Sequence, residues 1–148
     1  MARRAADILS LAMIAAYVAY LAATWDTIPE VVPSHFNVVG APDIYGNKSV
    51  LLLEPVIALA MWVLLVVVRR VPGAWNFPVR VTPRNRAVLY AIGERTMMAL
   101  TPLVVFLMLY AGLMGVIDLP VAGLYLALAA VLAVLAVGIV RMLRARDE

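Results

Sequence analysis

The sequence predicts an all-α integral membrane protein. It reads as a four-helix bundle with both termini inside, an ordered outer loop and an amphipathic inner helix leading into the third span. Three observations carry this reading. The 148 residues are 66% apolar and only 14% charged, with mean hydropathy +0.99, whereas soluble domains run at roughly 45–50% apolar and 25% charged. Four uncharged or nearly uncharged windows have the ~20-residue length that a bilayer core requires. All eleven arginines fall on one side if the chain crosses four times, as expected when basic residues near spans stay cytoplasmic. This composition excludes a soluble globular protein and a disordered chain. With no cysteine, a disulfide framework, a thiolate nucleophile and Cys-ligated metals are excluded as well.

We read residues 1–148 as a single membrane domain. Span one covers residues 8–24, too long for a signal-peptide core and without an A-x-A site near its end. Ala12 with Ala16, then Ala15, Ala19 and Ala23, form a small-residue stripe on it. Span two covers 49–68, with Pro55 in its first turns and Glu54 as its one ionisable group. Span three covers 96–117, and Pro102 should kink it or free a carbonyl. Span four covers 119–140, with Gly123/Ala127 and Ala129/Ala133 at interface spacing. The stripes fit either a monomeric bundle core or a homodimer face.

Arg3 and Arg4 precede span one, six arginines lie between spans two and three, and Arg141, Arg144 and Arg146 follow span four. The opposite side receives Asp26, Glu30, Asp43 and Asp118 with a single base, Lys48. The expected location is the cell membrane, multi-pass. Juxtamembrane arginines sit beside anionic headgroups, so the basic balance does not point to nucleic acid.

The outer loop, residues 25–48, contains Pro29, Pro33, Pro42, Gly40 and Gly46. Few of its residues are flexible, so an ordered cap over the bundle mouth is expected. The inner loop, residues 69–95, is extended at Pro72, Gly73 and Pro78, with Trp75 and Phe77 at the interface. Thr82 before Pro83 is a helix start, with a hydroxyl N-cap and proline at the first helical position. The following residues alternate apolar and basic, as an interfacial helix would.

The outer pattern W-x3-P-x3-P-S-H-F-N-x2-G-x-P-D-x-Y-G-x-K, residues 25–48, resembles the signature of the SdpI-like membrane family, in its N-terminal domain of unknown function. Trp75, Asn76, Phe77, Pro78 and Val79, then Thr82 to Asn85 and on to Tyr90, resemble that family's cytoplasmic segment. Longer members continue into a further C-terminal membrane segment. The resemblance implies a polytopic protein whose best-known relatives confer immunity to a secreted peptide toxin and hold a transcriptional repressor at the membrane. It singles out His35, Phe36, Asn37, Gly40, Asp43, Gly46 and Lys48 as ligand or partner contacts, or as a structural cap, and the intramembrane carboxylate Glu54 joins them by its position at the mouth. At the cytoplasmic interface it singles out Trp75, Asn76, Pro78, Asn85 and Tyr90, with the juxtamembrane Arg80 beside them.

The one convergent polar set is His35, Asn37, Asp43 and Glu54, joined by Asp26 or Glu30. It fits turn capping, a pairing of Asp43 with Lys48, a ligand contact, or a metal or pH-sensitive site. Glu54 fits a carboxylate bonded to the outer loop or a proton or cation site. There is no H-E-x-x-H, no second histidine and no nucleophile paired with a base, so we expect no enzyme, metal or cofactor. Three classes follow. One is an immunity or sensor protein that binds an exported peptide, and another is an accessory subunit of a larger membrane complex. A small transporter or channel is least supported, since beyond Glu54 only hydroxyls such as Ser10, Thr101, Tyr17, Tyr110 and Tyr125 lie in the spans.

Overall fold

A computed structural model describes residues 2–147. Helix α1 (Ala2–Thr24) leads to an antiparallel hairpin of β1 (Val31–Phe36) and β2 (Pro42–Asn47). A 3₁₀ turn (Lys48–Leu52) feeds α2 (Leu53–Arg69), and a second (Pro72–Ala74) opens the inner loop. Helix α3 (Arg86–Met114), helix α4 (Val121–Arg144) and a last 3₁₀ turn (Ala145–Asp147) complete the chain. Each of the four long helices is long and apolar enough to cross a membrane.

Local chemistry accounts for most helix ends. Asn47 caps the first 3₁₀ turn, its side chain accepting from the Ser49 N–H at 2.9 Å. Pro55 falls in the first turn of α2, where the missing N–H has no helical partner to lose. Before α3, Thr82 and Asn85 bond reciprocally. The Asn85 side chain accepts from the Thr82 N–H, and the Thr82 hydroxyl accepts from the Asn85 N–H. This is the capping-box arrangement, and the Arg86 N–H already reaches the Thr82 carbonyl at 3.0 Å. The interfacial segment and span three are therefore one helix, which runs unbroken through Pro102. Pro120 sets the start of α4, and Arg141 and Arg144 lie in its last turn, where cations complement the helix dipole.

The bundle is organised around α3, which packs along α1, α2 and α4, while α1 and α2 meet over a narrower seam. Ile14, Tyr17 and Leu21 of α1, Leu51 and Ala58, and Val105 and Leu109 of α3 form the core. Ile28 and Val32 belong to the same cluster, so the hairpin is rooted in the bundle. Val56, Leu64, Leu126 and Leu132 point outward, as lipid-facing side chains do.

The two small-residue stripes differ. Gly123 lies against the Tyr110 ring, Ala127 is buried, and an added Cβ at Gly138 would sit 2.6 Å from the Thr96 hydroxyl. That side of α4 is spent on α3, whereas Ala12, Ala15, Ala16, Ala19 and Ala23 of α1 are exposed, as are Ala129 and Ala133.

Candidate functional site

The outer segment is a hairpin, and its shape follows from a few residues. Val31 pairs with Asn47 and Val32 with Gly46, while irregularities between Pro33 and Phe36 shift the register. The Asn37 side chain accepts from the N–H groups of Val39 and Ala41, each at 3.0 Å, so it templates the tip. Gly40 has φ +82°, and an added Cβ would stand 2.6 Å from Val121 Cβ. Only glycine serves there, both for the backbone and for the close approach to α4. The Tyr125 hydroxyl donates to the Val38 carbonyl and ties the same tip to α4.

The four-residue polar set separates into one pair and two residues with other tasks. His35 Nδ1 lies 2.5 Å from Asp43 Oδ1 and joins the two strands. Asp43 therefore pairs with His35 and not with Lys48. Lys48 turns to the hairpin base, where Nζ meets Glu30 Oε1 at 2.9 Å, donates to the Trp25 carbonyl at 3.3 Å and stands 5.1 Å from the Trp25 ring centre. Asn37 works in the tip. Gly46 lets the strand pass close to Ser34 and Val50. Among the described residues no three His, Asp or Glu gather in a cluster able to hold a metal.

Beneath the hairpin lies a cavity of about 440 Å³. Ser34, His35 and Phe36 line it from the hairpin, Leu53, Glu54 and Ile57 from α2, Gly112 from α3 and Leu124 from α4. Glu54 thus reaches the same space as His35 but not its pair with Asp43. An added Cβ at Gly112 would meet the Tyr17 hydroxyl at 2.5 Å and Glu54 Cγ at 2.6 Å, and the Tyr17 hydroxyl donates to the Leu51 carbonyl at 3.3 Å. Ser34, Tyr17 and Gly112 complete the site, although the outer motif gives Ser34 no role and the other two lie in other spans. A glycine inside an apolar helix is the one sequence signal for such an approach.

Glu30 is held below its ordinary value of 4.5, first by the Lys48 hydrogen bond, then by the Lys48 charge, with a further hydrogen bond from Asn47. A depressed carboxylate stabilises the fold above its unfolded value and loses that contribution as pH falls through the lowered one. Trp25 fluorescence should therefore hold steady from neutral pH to the ordinary carboxylate range and change in stronger acid. In Lys48→Met the acid step should vanish. A transition near neutral pH would contradict this latch.

At the other end the inner loop folds back on the bundle. Trp75 Nε1 donates to the Val68 carbonyl at 2.7 Å, and its ring packs with Phe77 and Tyr90 at centroid distances of 5.9 and 6.3 Å. Gly93 admits that ring, since an added Cβ would lie 2.5 Å from it. Asn85, 1% exposed, donates to the carbonyls of Arg80 and Arg146, and so joins the inner loop to the 3₁₀ turn that follows α4. Asn76, Pro78 and the Arg80 side chain are exposed.

Residues 12–59 match a family described as a domain of unknown function (DUF1648). The matched stretch takes in most of α1, the hairpin and the start of α2, including every outer residue from His35 to Glu54. No curated protein and no solved structure matches the chain.

Proposed function

We propose that this chain is an SdpI-like, non-enzymatic protein of the cell membrane that binds an exported apolar peptide at its hairpin-capped mouth and acts as an immunity or sensor protein. The observation that carries the reading is the cavity under the hairpin. Its walls are mostly apolar, with Ser34, His35 and Glu54 as the few polar side chains, the make-up of a site that takes an apolar segment and fixes it by a few polar contacts. The Pro33-Ser34-His35-Phe36 run of the outer motif supplies its roof, which supports a link between that motif and the cavity. In this reading the hairpin faces outward and both termini face inward, in keeping with the arginine distribution.

A second reading, an accessory subunit or homodimer, is favoured by the alanine stripe of α1, which the chain itself leaves uncovered. Purification of the tagged protein from its own membranes in mild detergent, followed by mass spectrometry, separates the two. The sensor reading predicts recovery with a small exported peptide or a soluble regulator. Stoichiometric recovery with a larger membrane assembly would overturn it in favour of the subunit.

A further inference from the structure

At the arginine-bearing end, a cavity of about 430 Å³ opens between α1, the end of α2 and α3. It is lined by Arg3, Asp7, Arg69, Arg70, Glu94 and the rings of Trp75 and Tyr90, with Pro72 at its edge. Two ion pairs occupy part of this charge. Arg69 Nη2 donates to both Asp7 oxygens at 2.7 and 2.8 Å, and Arg3 pairs with Glu94. The lining keeps one positive charge in excess, three arginines against two carboxylates. Among the described residues the Arg70 guanidinium has no partner. Arg69, whose side chain is 7% exposed, leaves Nη1 buried without a hydrogen bond. A buried guanidinium N–H without an acceptor is an uncommon feature, and the excess positive charge of the lining favours an anionic acceptor there.

We propose that this cavity holds the phosphate of an anionic phospholipid headgroup, one lipid per chain. Guanidinium groups match phosphate oxygens in geometry and charge. The position at the end of the apolar spans, with Trp75 and Tyr90 as walls, is where headgroups lie. The same phosphate chemistry belongs to a free phosphate, but a soluble ion has no use for the aromatic walls or for an opening between membrane helices. The proposal is independent of the ligand at the outer mouth.

The test is native mass spectrometry of the whole chain released from nanodiscs of phosphatidylcholine mixed with phosphatidylglycerol. One phosphatidylglycerol should be retained per chain in preference to phosphatidylcholine. In Arg70→Gln retention should be roughly tenfold weaker, the size of one charge-assisted hydrogen bond, with unchanged tryptophan emission as the check on folding. Arg3→Gln should weaken it too, whereas Arg144→Gln, on the last turn of α4, should leave it intact. Equal retention of both lipids, or an equal loss in Arg144→Gln, overturns the site. Displacement of the lipid by excess inorganic phosphate overturns the lipid as its occupant.

Discussion

Asp7→Ala is expected to destabilise the protein by about 3 kcal/mol, the low end of the range for removing one partner of a buried ion pair, because the Asp7 side chain is 26% exposed. The loss arises because Arg69 is almost fully enclosed and Asp7 supplies both of its hydrogen bonds. Without the carboxylate a guanidinium stays desolvated between α1 and α2 with neither Nη satisfied. These two helices share only a narrow seam, so the pair is their main polar tie. The double variant Asp7→Ala/Arg69→Leu removes the stranded charge as well and should recover most of the loss. Thermal unfolding in detergent, followed by tryptophan fluorescence, gives the double-mutant cycle. Losses that simply add would contradict the pairing.

Gly112→Leu is the second large effect, expected at about 3 kcal/mol, the upper part of the usual cost of overpacking. The new Cβ alone would collide with the Tyr17 hydroxyl and with Glu54 Cγ, and the rest of the side chain would enter the outer cavity. Tyr17 must then leave the Leu51 carbonyl, which loosens the 3₁₀ turn under the hairpin. Hydrogen exchange should rise at residues 48–52 and through the hairpin, and stay unchanged around Asn85. Gly112→Ala should show the same pattern more weakly. Faster exchange spread evenly over the chain would contradict a local origin.

The four spans were legible because lipid imposes a length and a composition that few other structures satisfy. Their ends were less so. Apolar windows mark where the chain meets hydrocarbon, whereas α1 runs back to Ala2 and α3 begins at Arg86, because helices continue into the headgroup layer. Thr82 and Pro83 announce the turn into the third helix, whose first helical residue comes three positions later, at Arg86. The hairpin stayed hidden, since Pro33 and Pro42 read as breakers. A two-stranded sheet has only open edges, where proline is tolerated, and the Asn37-to-Gly40 tip is the turn signal that argued for it. The outer residues lie in and around the hairpin, but with other partners than their sequence spacing suggests. Lys48 lies near Asp43 in sequence, yet the strand register delivers His35 to Asp43 and leaves Lys48 beside Glu30. The partner of Asp7, Arg69, lies 62 residues away, and no local pattern announces it.

Photo-cross-linking in native membranes shows whether the hairpin-capped cavity is a binding site. A benzophenone side chain replaces Ser34, which lines the cavity, or Leu126, which is 72% exposed on the outer face of α4. One discrete peptide adduct is expected at position 34, abolished by Gly112→Leu, and only lipid adducts at position 126. The same adducts at both positions, or an adduct at position 34 that survives Gly112→Leu, would contradict it.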